Sequence, residues 1–112
     1  MAEREAEGIA LYIQHLEAKA VGDRAGAARL LKAAVALGEP MALHAAAFEE
    51  RDVATAVSMY EAAAAAGFAA SAWNLYLHYG DLGDQAAATR WLERAATLGD
   101  EDAVKLVSER AG

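Results

Sequence analysis

The side chains best suited to chemistry in this sequence are its three histidines, His15, His44 and His78, since there is no Cys. An imidazole can bind a metal ion or act as a general acid or base. A metal site on a helix favours a second His or an acidic residue three or four positions away, and only His78 has one, Asp81. Solvated or helix-packing histidines are therefore favoured. A metal-binding or hydrolytic protein that uses these three residues is the least favoured hypothesis.

No other catalytic motif is present. The sequence has no Gly-rich phosphate loop, no nucleophile elbow and no His-Glu-x-x-His zinc motif. Its carboxylates are scattered along exposed faces and helix starts, where solubility and helix capping account for them. We therefore predict that the chain is not an enzyme and has no catalytic residue, metal site or cofactor.

The charge balance narrows the classes of partner. The chain has 17 acidic and 10 basic residues, a net charge of −7, so it repels nucleic-acid phosphates and anionic lipids. We expect a protein or peptide partner, a basic one among the candidates, and neither nucleic acid nor a membrane surface. No run of about 18 apolar residues occurs, and the N-terminal MAEREAEGIALYIQ has acidic residues where a signal peptide has basic ones. The expected location is the cytoplasm.

The composition favours helices. Ala supplies 32 of the 112 residues and there is one Pro, and Ala has the lowest intrinsic cost in a helix. A chain of this length corresponds to about one domain. We therefore predict a single all-α domain over 1–112.

Three segments of the chain align without a gap. They are DRAGAARLLKAAVALG from Asp23, DVATAVSMYEAAAAAG from Asp52 and DQAAATRWLERAATLG from Asp84. Each begins with Asp and reaches Gly fifteen residues later, and the period is 29 and then 32 residues. Because Asp and Gly are each less than a tenth of the chain, their shared register indicates an internal repeat.

Each repeated position has a physical role. The Asp residues lie where a helix N-cap is needed, because a carboxylate accepts a free backbone N–H there. The Gly residues lie just past the helix end, where a left-handed conformation costs Gly little. Between the Asp and the Gly, each segment has Ala at two repeated positions, which we call the Ala columns, and large apolar residues on the same helix face. Trp91 is predicted to lie in the core. The glycines are Gly38, Gly67 and Gly99, and the Ala columns are Ala27, Ala56 and Ala88, and Ala34, Ala63 and Ala95.

The segments that precede these helices also have apolar residues at helical spacing. The repeating element is therefore a first helix followed by a capped second helix. Three such pairs are predicted, over about 5–38, 39–67 and 68–99, followed by a capping helix over 101–110. Pairs of this kind stack on one another, because no single pair covers its own apolar face.

The third pair, GFAASAWNLYLHYGDLGDQAAATRWLERAATLG, resembles the Sel1-like repeat, a relative of the tetratricopeptide repeat (TPR). The residues that carry the resemblance are Trp73, Asn74, Leu75, Tyr79, Asp84, Ala88, Trp91, Ala95, Ala96 and Gly99. The tight GDLGD connection is more TPR-like and the period is shorter than in either family, so the choice between the two stays open. The resemblance implies a right-handed αα-superhelix, or solenoid, of three helix pairs plus the C-terminal capping helix.

The resemblance also implies that the first helices line a concave groove in which a segment of a partner protein binds. The candidate partner-binding residues carried over by position are Tyr12, His15, His44, Phe48, Arg51, Trp73, Asn74 and Leu77. Asn74 matches a TPR position at which Asn often hydrogen-bonds a bound peptide, although an Asn there can equally cap or bridge helices. Trp73 is a candidate hot-spot residue, and packing in the core is the favoured alternative for it.

A protein–protein interaction scaffold or adaptor is therefore the function we predict. The alternative is a small acidic inhibitor or immunity-type protein that masks a basic surface of its partner, since negative charge complements such a surface. Exposed apolar surface at the end of a short stack also favours self-association, so a monomer or a weak homodimer is expected.

Overall fold

The computed structural model describes residues 2–111. Within this range the chain forms seven helices and no strand, which confirms the all-α class. The helices are α1 (Glu3–Ala20), α2 (Arg24–Ala36), α3 (Pro40–Glu49), α4 (Val53–Ala65), α5 (Ala69–Asp81), α6 (Gln85–Thr97) and α7 (Glu101–Ala111). None of these helices is long and apolar enough to cross a lipid bilayer.

Acidic side chains cap the starts of five helices. As predicted, Asp23, Asp52 and Asp84 each accept a hydrogen bond from the backbone N–H three residues later, at 2.9, 3.0 and 3.1 Å. Glu39 and Asp100 do the same ahead of α3 and α7, at 3.0 and 2.9 Å. These carboxylates satisfy N–H groups that have no partner inside the helix. The repeated acidic residues are therefore explained by capping.

Glycine ends α2, α4 and α6, as predicted. Gly38, Gly67 and Gly99 have φ values of 75°, 98° and 94°, in the left-handed region that is costly for a residue with a Cβ. In each case the N–H of the following residue bonds to a carbonyl near the helix end. This arrangement terminates the helix and turns the chain toward the next one.

The core is built mainly of Ala. Among the described residues, the buried apolar side chains are Ala apart from Leu43, Leu75 and Leu92. Five of the six Ala positions in the predicted columns are buried, and the sixth is half-buried. Gly8 of α1 extends this pattern, because a Cβ there would lie only 3.2 Å from the Cβ of Glu39. Short side chains allow helices to approach closely, so this core tolerates little added volume.

The chain divides into two compact units, Met1–Met59 and Tyr60–Gly112. The first unit contains α1 to α3 and the first half of α4, and in it α2 packs against both α1 and α3. The second unit contains the rest of α4 with α5 to α7, and in it α6 packs against both α5 and α7. The superhelix and the single repeat domain stay predictions.

Candidate functional site

On α1, the predicted binding residues Tyr12 and His15 take part in packing. Their rings stack with centroids 5.6 Å apart. His15 is 7% exposed, and its Nδ1 lies 2.7 Å from the carbonyl oxygen of Ala27 in α2. Because a carbonyl oxygen only accepts, Nδ1 carries the hydrogen and donates it. The hydrogen bond from His15 therefore joins α1 to α2. The second nitrogen of the ring is Nε2.

On α3, the predicted binding residues differ in how accessible they are. His44 is half-buried, and desolvation lowers its pKa below the ordinary value. One turn later Phe48 is 77% exposed, and Arg51, in the connection to α4, is also exposed. Phe48 and Arg51 are therefore open to a partner.

On α5, Trp73 and Asn74 are half-buried and Leu77 is exposed. The ring of Trp73 packs against Tyr76, with centroids 5.1 Å apart. Arg110 of α7 donates a hydrogen bond to the Tyr76 hydroxyl oxygen at 3.3 Å, and its guanidinium lies 6.0 Å from the centre of that ring. Trp73 thus belongs to an aromatic cluster that contacts α7, which agrees with the packing interpretation of this residue.

A pair of side chains one turn apart recurs at eleven and eight residues before each capping Asp. The pairs are Tyr12 and His15, Met41 and His44, and Trp73 and Tyr76. Counting forward from the preceding Gly aligns His44 with Trp73 instead, because α3 is three residues shorter than α5. In α1 and in α5 the two rings of the side-chain pair contact each other. These contacts favour the alignment that counts back from the capping Asp residues.

The first unit contains a groove of about 710 Å³, which we call the first groove. It is lined by the end of α1, by α2 and α3, and by one residue of α4. Its larger apolar lining residues are Leu31, Val35 and Met59, and its charged ones are Lys19, Arg24, Lys32 and Glu49. The three cationic side chains are all exposed. The first groove is therefore apolar with a local excess of positive charge, although the chain as a whole is acidic.

The second unit contains a groove of about 620 Å³ between α4, α5 and α6, which we call the second groove. Its aromatic and charged lining residues are Tyr79, Trp91, Arg90, Arg94, Glu61 and Asp84. The carboxylate of Asp84 already accepts the capping hydrogen bond of α6. The second groove thus combines two aromatic rings with two guanidinium groups.

The structure corrects the prediction that Trp91 lies in the core. Trp91 is half-buried and lines the second groove, whereas Leu92 is 3% exposed. A helix turns by about 100° per residue, so Leu92 shares a face with the buried Ala88 and Ala95. Trp91 is also one turn from both of these Ala residues, and it lies one turn before the exposed Arg94. Helical spacing alone therefore does not decide which of the two large side chains is covered.

Of the eight predicted binding residues, His15 alone lines either of these two grooves. The predicted residues lie on or beside α1, α3 and α5, whereas half of the lining residues belong to α2 and α6. Sequence interpretation missed Arg90 and Arg94. Their signal was two Arg residues one turn apart on the face that carries Trp91.

His15 and His78 are placed as packing residues. Among residues 2–111, no group of three or more His, Cys, Asp or Glu side chains is positioned to hold a metal ion. His15 is bonded to α2, and the ring of His78 meets the ring of Tyr79 edge-on, with centroids 5.0 Å apart. The hypothesis of a three-histidine metal site therefore has no support in the described part of the chain.

No protein-family model, curated protein or solved structure matches this chain. The resemblance to Sel1-like and TPR repeats therefore stays a prediction from the sequence. What the molecule offers a partner is the chemistry of its two grooves and of the exposed Phe48.

Proposed function

We propose that this chain is a protein-binding scaffold or adaptor, a Sel1-like or TPR-like helical repeat that holds a segment of a partner protein. The observation that carries the proposal is the lining of the second groove. Trp, Tyr and Arg are the residue types that dominate the energy of protein interfaces, and this groove gathers Trp91, Tyr79 and two Arg residues.

The geometry of these side chains suits a polypeptide ligand. Part of the Trp91 ring is buried among its neighbours and part stays accessible, so the ring loses little conformational entropy on binding. Arg90 and Arg94 are exposed and lie one turn apart, and each guanidinium can bind a carboxylate through two parallel hydrogen bonds. Glu61 and Asp84 supply the opposite charge. A groove with both signs of charge complements a segment of mixed side chains.

Affinity capture from an extract of the native cells, with the full chain as bait, tests this proposal. The variant R90E/R94E replaces both cations of the groove by carboxylates, and we expect it to retain a bound partner at least about tenfold less, because hot-spot residues contribute about 2 kcal/mol or more. The control R29E/K105E makes the same change in net charge at exposed residues that line neither groove. Equal capture by R90E/R94E and the wild-type chain would contradict the second groove as the binding site.

The first helices can be compared with the second groove in the same experiment. Phe48→Ala and Asn74→Ala remove the exposed aromatic ring of α3 and the amide of α5 that the TPR resemblance singles out. If partners bind in the second groove, both variants retain them. Loss of partners with these variants alone would place binding on the first helices instead.

The acidic inhibitor is the second candidate function, and the net charge of −7 favours it. Glu3, Glu5 and Glu7 are all exposed on the first two turns of α1, where a cationic surface could contact them. This function requires tight, salt-sensitive association with one basic protein. R90E/R94E would then bind that protein more tightly, since it adds negative charge, and this is the opposite of the result expected for the scaffold.

A further inference from the structure

We propose that the first groove binds an acidic amphipathic helix of a partner protein. The apolar face of that helix lies on the floor of the groove, and its carboxylates pair with Lys19, Arg24 and Lys32. The inference rests on the proposed protein-binding function, and it adds a separate site with a defined partner chemistry.

The apolar floor of the first groove is a row of side chains along α2. Ala27, Ala28, Leu31 and Val35 line it from α2, at the spacing that places side chains on one face of a helix. This row spans nine residues from Ala27 to Val35, which is on the order of 12 Å along α2. An elongated apolar row of this length fits two turns of an amphipathic helix laid into a groove.

One polar group of the floor already has a partner within the chain. Ala27 belongs to it, and the carbonyl of Ala27 accepts the Nδ1–H of His15. Across residues 2–111, no buried side-chain nitrogen or oxygen lacks a hydrogen bond. Covering this carbonyl with apolar side chains therefore does not leave it unsatisfied.

Charge determines which helix is favoured. The first groove contains three of the chain's ten Lys and Arg residues and a single acidic residue, Glu49. Its sign is thus opposite to that of the molecule. A nucleic acid meets repulsion from the rest of the chain, whereas a short acidic segment needs to approach only the groove. Charge complementarity therefore favours an acidic protein segment.

The spacing of the cations defines the pattern of the partner. Arg24 and Lys32 are eight residues apart on α2, which corresponds to about 12 Å. Two carboxylates seven or eight residues apart on a facing helix span about the same length. The expected partner sequence therefore has two acidic residues at this spacing. Between them lie apolar residues, each about one helical turn from the nearer acidic residue.

Titration of the ¹⁵N-labelled 112-residue chain with three synthetic helical peptides tests the inference. The first peptide has this acid–apolar–acid pattern in an Ala background, and the other two have Gln or Lys in place of the acids. We expect the acidic peptide to shift the amide signals of Ala28, Leu31 and Ala46 saturably. We expect about tenfold weaker binding of the Gln peptide, as for the loss of a charge-assisted pair, and no binding of the Lys peptide.

Variants assign the binding to the groove. K19E/K32E should reduce affinity for the acidic peptide at least about tenfold, whereas R29E/K105E, with the same change in net charge, should retain most of it. R90E/R94E should bind this peptide as the wild-type chain does. If the acidic peptide does not bind while the second groove captures partners normally, this inference is overturned. The proposed function would then still hold.

Three other results would also overturn it. Binding of the Lys peptide as tight as that of the acidic one would remove the role of charge. Concentration-dependent shifts at Leu31 and Ala46 without peptide would identify a second copy of the chain as the occupant. Saturable shifts at these residues with dodecanoate, but not with the peptide, would identify a small amphiphile.

Discussion

Asp52 caps α4 and accepts two hydrogen bonds from Thr55, one from the backbone N–H at 3.0 Å and one from the hydroxyl group. The side-chain bond and then the backbone bond lower the pKa of Asp52 below its ordinary value, because both stabilise the charged carboxylate. The stability that results is present above the pKa of an unfolded Asp, about 3.9. It is lost as the pH falls through the lower pKa of the folded state.

We predict that this loss is visible as a difference between the wild-type chain and Asp52→Asn. Asn keeps an acceptor oxygen for the cap but does not titrate. Thermal midpoints measured by circular dichroism from about pH 6 to about pH 2 should show the advantage of the wild-type chain decreasing below about pH 4. Asp81→Asn, at the exposed end of α5, controls for the removal of one negative charge. A pH-independent difference for Asp52→Asn would show that the Thr55 bonds do not favour the charged form.

At the scale of the helices, the effect of an Ala residue depends on whether its face of the helix is buried or exposed. Ala95 of α6 is fully buried, whereas Ala86, at the start of the same helix, is exposed. A core of methyl groups brings helices close together and leaves no room for a branched side chain. The two positions therefore form a matched pair that separates helix propensity from packing.

We predict that Ala95→Leu lowers the free energy of unfolding by about 1–3 kcal/mol, because the added carbons overpack the core. Ala86→Leu should change it by less than about 0.5 kcal/mol, as for most surface substitutions. Both variants replace Ala by another strong helix former, so differences in propensity are small. Urea denaturation followed by circular dichroism measures the difference. Equal stabilities of the two variants would indicate that α6 is not closely packed at Ala95.

At the scale of the whole molecule, charge is distributed unevenly. The chain has a net charge of −7, yet the first groove has more cationic than acidic lining residues. Repulsion among like charges opposes folding of the chain, whereas attraction in the first groove favours an acidic ligand. Salt screens both effects, so it acts on stability and on binding with opposite sign.

We predict that an increase from about 10 mM to about 150 mM NaCl, which shortens the Debye length from about 30 Å to about 8 Å, raises the thermal midpoint of the unliganded chain. The same increase should weaken binding of the acidic peptide to the first groove. Calorimetry of the chain and titration with the peptide measure the two effects. A midpoint that falls with salt would mean that favourable ion pairs outweigh the repulsion.

The sequence by itself determined the helices and their ends. The carboxylate of Asp84 and the left-handed Gly99 act on backbone groups three to five residues away, so their roles follow from local spacing. The tertiary structure decided which side of each helix is covered. It buried Leu92 and left Trp91 on a groove, joined His15 to Ala27 twelve residues away, and assembled each groove from several helices. The face of a helix that stays open depends on where its neighbours pack, and residues distant in the chain set that position.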